Sequence, residues 1–220
     1  NTVERTLSIL ETVAHSTSGL TNSDISRRLK MPKSSASYIL RILESRGYLT
    51  RESNSGKYRL GLKLMGLTRE SLTHTDIREV AKPIMESFVK RTNLATHLAV
   101  LDNGRAVYVE KVENANSFIK MDIWVGHRLP VHSTAIGKVL LCEMPEEEVL
   151  AMLELRGMER KTPKTITSAK RFVKELDKVR TYGFAVDNEE NSPGVRCICS
   201  PIYDANGKIV AALGTSDTII

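Results

Sequence analysis

Between Leu129 and Leu141 the chain reads LPVHSTAIGKVLL, which gathers His132, Ser133, Thr134, Gly137 and Lys138 within seven residues. Such side chains suit three chemistries: a nucleophile with its base, a phosphate-binding loop, or a rim for a smaller anion. The phosphate loop fails on spacing. It needs Gly five residues before the second Gly and Ser or Thr after Lys, and His132 and Val139 stand there. The nucleophile fares little better, because adjacent residues seldom aim their side chains at one another and no G-x-S-x-G elbow surrounds Ser133. A metal site assembled from His132, Asp187, Cys197 and Cys199 has two ligands on one strand face, but small cysteines on strands are usually packing. The anion rim survives if HSTAIGK leads into a helix, whose first N–H groups are free and whose dipole end is positive. The same residues also fit a capped helix start that holds no ligand.

The elements around this stretch follow from periodicity. THLAVLDNGRAVYVEKVE is two β-rich runs about Asn103-Gly104, a hairpin signal. SFIKMDIWV predicts a third strand with Ile119, Met121 and Ile123 on one face. A short acidic helix is expected near Glu146 to Leu155 and a charged helix from about Ser168 to Tyr182. After Gly183 come a short strand, a loop and a hairpin closed by DANGK. An antiparallel sheet flanked by helices is the result. Met121, Cys197 and the loop before GVRC are placed to line a pocket with apolar and hydrogen-bonding groups. Upstream, DIREVAKPIMESFVKRT predicts a helix that Pro83 kinks or restarts, and LGLKLMGLTRESLTH a linking helix.

The first sixty residues have a different character. They carry 10 Lys and Arg against 5 Asp and Glu, a net +5 of the whole chain's +6. A compact basic segment on a nearly neutral body suits a polyanion. Val3, Leu7, Leu10 and Val13 predict an amphipathic first helix, and Thr21 with Asp24 caps a second whose inner face is Ile25 and Leu29. Pro32 forces a tight turn before a third helix, Lys33 to Arg46, with Ala36, Ile39, Leu40 and Leu43 inward. Its outer face holds Lys33, Ser34, Ser35, Ser37, Tyr38 and Arg41, short and polar enough for close approach to a DNA groove. YLTRESNSGKYRLG then reads as a hairpin wing carrying Arg51, Lys57 and Arg59. The expected fold class is α+β: a winged helix-turn-helix over 1–60, a linker helix over 61–75 and a sheet domain over 76–220.

With 220 residues the chain can bury a sizeable core. Three cysteines without zinc-finger spacing argue against a disulfide framework. No apolar run approaches the roughly 20 residues of a membrane helix, and no cationic-then-apolar leader precedes the first helix. A cytoplasmic protein without membrane contact is the expectation.

Three long segments carry a resemblance to the IclR family of transcriptional regulators that runs across nearly the whole chain. PKSSASYILRILESRGYL is similar to the family's recognition helix and the start of its wing. LPVHSTAIGKVLL resembles its signature of Pro, His or Tyr, then Thr-Ala-x-Gly-Lys. YGFAVDNEENSPGVRCICSPIYDANGKIVAALGTS resembles its C-terminal block almost position for position. The resemblance implies a GAF-like effector domain that binds a small carboxylic acid or aromatic metabolite, with no cofactor. It implies a pocket including Ala135, Ile136, Asp187 and Cys197, with Gly214 and Ser216 on the last strand and Met121 and Leu129 as apolar wall. Two departures bear on the ligand: Gly214 lacks a hydroxyl that the family commonly has, and Ile136 is bulkier than the usual small residue. The family also continues into a C-terminal helix beyond the position of Ile220.

These expectations describe a repressor or activator that binds double-stranded DNA as a homodimer on a pseudo-palindromic operator, with a homotetramer as the further assembly the resemblance implies. Its operator affinity would answer to a small organic acid, with the helix at Leu60 to Thr73 as the lever. The rival readings are a zinc-containing sensor and a metabolite-processing enzyme with an appended DNA-binding domain, for which Asp187 with His132 is the obvious acid–base pair.

Overall fold

A computed structural model of the chain describes residues 1–67, 77–113 and 123–219. It divides into two compact units, Asn1–Thr75 and Asp76–Ile220.

In the first unit, α1 (Thr2–Ala14), α2 (Asn22–Arg28) and α3 (Lys33–Ser45) precede a two-stranded antiparallel sheet of β1 (Leu49–Arg51) and β2 (Tyr58–Leu60). Thr21 and Asp24 form the expected capping box at the start of α2, each side chain satisfying the other's backbone N–H. Ile25, Leu40 and Leu49 are at most 1 % exposed, and burying each stabilises the unit by about 1.5–3 kcal/mol. The inner face of the first helix shares part of the stripe its spacing suggested. Ile9 and Val13 are buried with Leu10 packed beside them, whereas Val3 and Leu7 are exposed. Leu10 and Val13 therefore join the core as the periodicity implies, and Ile9 takes the place of Val3 and Leu7 in the cluster that includes Leu20 and Leu40. Of the linking helix, residues 63–67 are helical and its continuation lies outside the described residues.

The second unit begins with α4 (Ile77–Thr92), in which Pro83 sits inside one continuous helix and neither ends nor restarts it. The β3 (Ala95–Asp102) and β4 (Arg105–Val112) hairpin turns on Asn103 and Gly104. Both have positive φ, 47° and 70°, as a two-residue type I′ turn requires. A bulge between Leu98 and Ala99 leaves Tyr108 opposite Ala99. Short β5 (Arg128–Pro130) joins the outer edge of β4. The strand expected over SFIKMDIWV lies mostly outside the described residues, and Ile123 and Trp124 are not in a strand. Helices α5 (Ala135–Leu141), α6 (Glu146–Arg156) and α7 (Ala169–Tyr182) precede β6 (Ala185–Asn188), β7 (Val195–Tyr203) and β8 (Ile209–Thr218). The six strands form one antiparallel sheet ordered β5-β4-β3-β8-β7-β6.

Alternation along the strands sends side chains to two different layers. Leu98, Val109, Ala211 and Leu213 meet Met85 and Ala81 of α4. Ala99, Tyr108, Ala212 and Cys199 face the other way, with Val139, Leu141, Phe172 and Leu176 of α5 and α7. The sheet therefore has helices on both faces, and α5 reaches the second face through the loop that ends in the HSTAIGK stretch.

Candidate ligand cavity and DNA-contacting helix

Helix α5 begins at Ala135 with Thr134 as N-cap. The Thr134 hydroxyl accepts from Gly137 N at 3.1 Å and donates to Pro130 O at 2.9 Å. All seven residues of the helix are buried. His132 and Ser133 find separate partners: the His132 ring bonds Glu159 O through Nε2 at 3.0 Å, and Ser133 Oγ donates to Asn191 Oδ1 at 3.1 Å. Neither is arranged as nucleophile and base. Lys138, far from being a surface lysine, is fully buried. Its Nζ donates to Val186 O at 2.8 Å and Glu190 Oε1 at 2.6 Å.

The motif borders a cavity of about 280 Å³. Of the residues expected there, Leu129, Ala135, Ile136, Asp187, Cys197, Gly214 and Ser216 all line it, and Met121 lies outside the described residues. Register brings them together. Ser216 pairs with Cys197 and Cys197 with Asp187, so three of them form one row across β8, β7 and β6. The neighbouring row runs from His97 through Gly214 to Cys199. Asn191 and Ser192, of the loop before GVRC, line it as expected, with Thr134 from the HSTAIGK stretch; His97, Tyr108 and Ile123 also line it and were not foreseen. His97 had a usable signal: a polar residue in THLAVLD whose alternation places it on the same face as Ala95 and Ala99.

Among the polar groups of the lining, His97, Thr134, Asp187 and Ser216 are buried. His97 is 2 % exposed; its Nδ1 lies 3.5 Å from Ser216 Oγ, and its Nε2 has no partner among the described residues. Burial, aided by nearby Lys111, pushes its pKa down to about 4, so the ring is neutral at physiological pH. Asp187 accepts from Glu190 N at 2.6 Å. Burial, which outweighs that hydrogen bond, raises its pKa to about 6. Burial also pushes the Cys197 and Cys199 thiols up, Cys197 to about 12, far from the thiolate that nucleophilic or metal chemistry needs. Among the described residues, no group of three His, Cys, Asp or Glu is arranged to hold a metal ion. His132, offered above as a metal ligand and as the partner of Asp187, is absent from the cavity lining. A wider, open trough of about 540 Å³ lies against α4 on the other sheet face, lined chiefly by apolar groups such as Met85, Phe88 and Leu213.

In the first unit, α3 presents Lys33, Ser34, Ser37, Tyr38 and Arg41 to solvent, with Ser35 half-buried. The Arg41 guanidinium lies 5.9 Å from the Tyr38 ring centroid, within cation–π range. On the hairpin, Arg51 lies 5.6 Å from the Tyr58 ring, and Lys57 is half-buried. Arg59 is engaged internally: it pairs with Glu52, and its Nη1 donates to Thr17 O at 2.8 Å. It ties the hairpin to the turn after α1.

Comparison with known proteins places both halves. Residues 2–53 match the IclR helix-turn-helix domain, and residues 69–219 match the bacterial transcriptional regulator IclR C-terminal domain.

The chain belongs to the IclR family of bacterial transcriptional regulators.

It is 38% identical over 214 residues to the HTH-type transcriptional regulator XynR of Escherichia coli (strain K12), covering 97% of this chain and 84% of that protein. The Thermotoga maritima IclR crystal structure superposes with a TM-score of 0.79 at 34% identity, covering 99% of this chain and 87% of that one. An IclR homolog from Microbacterium hydrocarbonoxydans, crystallised with 4-hydroxybenzoate, gives a TM-score of 0.86 at 27% identity over 100% of this chain and 90% of the other. As an IclR-type regulator the protein has a DNA-binding helix-turn-helix and a C-terminal ligand-binding domain with an antiparallel sheet. Among the described residues no helix is long and apolar enough to cross a membrane.

Proposed function

We propose that this IclR-type regulator binds a small carboxylic acid, aromatic or hydroxylated, in the cavity beside α5, and that occupancy changes its affinity for operator DNA. The observation that carries this reading is the Nε2 of His97, which lines the cavity and has no partner among the described residues. A buried nitrogen without a partner costs about 1–3 kcal/mol, and a ligand oxygen would remove that cost. With Nδ1 beside Ser216, a neutral His97 can donate from Nε2 to a carboxylate or hydroxyl oxygen. Thr134, Asn191 and Ser192 add hydrogen-bonding groups, and the backbone N–H groups of Ala135 and Ile136 precede the first intrahelical bond of α5. Leu129, Ile136 and Tyr108 supply wall for a ring. The 4-hydroxybenzoate held by the Microbacterium homolog belongs to the same ligand class.

On the DNA side, α3 is the element for the major groove, with Lys33, Ser34, Ser35, Ser37, Tyr38 and Arg41 toward bases and phosphates and Arg51 and Lys57 on the wing. One such unit reads few base pairs, so a homodimer on a pseudo-palindrome, or a tetramer of two such dimers, is the working assembly. The rival enzyme reading loses its acid–base pair, because His132 is absent from the lining that holds Asp187. A thermal-shift screen of small organic acids, 4-hydroxybenzoate included, tests the reading, because whatever binds the native state raises its melting temperature. Hits that also change DNA affinity support it. A panel without any hit, or hits that leave DNA binding unchanged, contradicts it.

A further inference from the structure

Lys138 is among the largest fully buried side chains of the protein. Lysine is almost never buried so completely unless it is paired, and here the partner is Glu190, at 2.6 Å, with Glu175 Oε1 farther off at 3.8 Å. Glu190 stands in the turn that follows Asp187 and immediately precedes Asn191 and Ser192, and these three form one wall of the cavity. The backbone N–H of Glu190 donates to Asp187 Oδ1 at 2.6 Å. Two residues before Lys138 on the same helix, Ile136 lines the cavity from another side. One short helix therefore carries both a cavity wall and the tether that holds the facing wall.

Stability alone does not account for the pair. A buried ion pair contributes little beyond what packed apolar side chains would. This pair also leaves Glu190 Oε2 buried without a partner among the described residues, a cost that apolar side chains would avoid. What the pair does supply is exacting geometry. A displacement of the wall by an ångström would part a fully buried ammonium from its nearest counter-charge. We infer that the Lys138–Glu190 pair is a positioning device, a strut that sets the Asp187–Ser192 wall at the spacing the ligand requires. The lysine of the HSTAIGK motif thus acts through the wall and does not touch ligand. The inference rests on the reading of this cavity as the effector site.

The test uses the full chain and the variants Glu190→Ala, Glu190→Gln, Lys138→Met and the Lys138→Met/Glu190→Ala double. Two quantities are read: amide hydrogen exchange of residues 187–194 without ligand, and calorimetric affinity for 4-hydroxybenzoate. Glu190→Ala and Lys138→Met should each speed exchange and weaken binding by about tenfold, and the double variant should be no worse than either single, because one interaction is lost in all three. Glu190→Gln, which keeps an acceptor at Oε1 but loses the counter-charge, should fall between Glu190→Ala and wild type on both measures. Losses that multiply to about a hundredfold in the double variant overturn the strut, since they mean independent roles. So does wild-type exchange in Glu190→Ala. Should Lys138→Met fail to fold, Glu190→Ala against Glu190→Gln decides the matter with Lys138 intact. If wild type does not bind 4-hydroxybenzoate, the exchange pattern alone decides the strut, and the choice of ligand is what has failed.

Discussion

A Cβ placed on Gly137 would stand 2.2 Å from the carbonyl oxygen of Val131 and 2.3 Å from its Cα. The chain doubles back between these two residues, so the start of α5 presses on the strand-to-helix loop that leads into it. The Gly of Thr-Ala-x-Gly-Lys is therefore a matter of space and not of phosphate binding.

Gly137→Ala is expected to destabilise the second unit even though alanine favours helix by about 1 kcal/mol. The backbone of Val131 cannot yield as a side-chain tip would, and overpacking of this kind costs about 1–3 kcal/mol or more. The melting temperature should fall by about 5–10 °C. An unchanged melting temperature would show that the loop relaxes freely and that the close approach is unimportant.

Arg41 and Arg59 should behave differently although both are exposed cations of the first unit. Arg41→Ala, which removes a side chain projecting from α3 beside Tyr38, should weaken DNA binding about tenfold and lower the dependence on salt by about one counterion. Arg59→Ala breaks contacts with Glu52 and Thr17 O, so its main effect should be a looser hairpin, seen as faster hydrogen exchange over 49–60. Equal salt slopes for wild type and Arg41→Ala in a fluorescence titration would remove Arg41 from the phosphate contacts.

Asp187 and His97 oppose one another in acid. The pKa of Asp187 is raised from 3.8 to about 6, so the native state holds a proton that the unfolded chain lacks between these values. Its contribution is fully present below about pH 4 and lost as pH rises through 6. The pKa of His97 is lowered from 6.5 to about 4, so the unfolded chain takes the proton first and stability is lost as pH falls from 6.5 toward 4. Asp187→Asn keeps the acceptor for Glu190 N and removes the buried charge. It should raise stability at pH 7.5 by about 3 kcal/mol, and the gain should vanish near pH 4. Melting curves across this range check it; a gain that does not depend on pH would mean that Asp187 is not held in its protonated form more readily than in the open chain.

Much of this architecture is local and therefore legible in sequence. The Thr21–Asp24 box, the Asn103-Gly104 turn and the αL residue Gly183 that ends α7 are each decided by residues within a few positions. The row Ser216–Cys197–Asp187 came instead through family resemblance, since register across three strands is not written in any one of them. Burial of Lys138 was illegible for a physical reason: its partner is 52 positions away, and an unpaired lysine belongs at the surface. Of the α1 stripe Val3, Leu7, Leu10 and Val13, only the second half meets the core, because Ile9 and not Leu7 completes the buried face. Spacing along α1 does not decide this; the cluster that Ile9 shares with Ile25 and Leu40 does.

Ile136 sets the size of the ligand. It is 6 % exposed and lines the cavity, so Ile136→Ala should cost about 2–4 kcal/mol of stability while opening space. Calorimetry with benzoates of increasing ring substitution should show the preference of the variant moving toward bulkier acids. An unchanged order of affinities would place the limiting contact elsewhere.

The central claim is that occupancy of the cavity beside α5 alters operator affinity. Its most direct test is DNA binding by anisotropy, on fragments enriched by the protein from its own genome, with and without a saturating acid identified by thermal shift. A change in affinity of about 5–150-fold is predicted, the usual range of coupling between two sites, and it should be lost in a variant whose cavity Ile136→Phe has filled. Identical affinity with and without saturating ligand would contradict the account, because a ligand that binds both arrangements equally shifts neither.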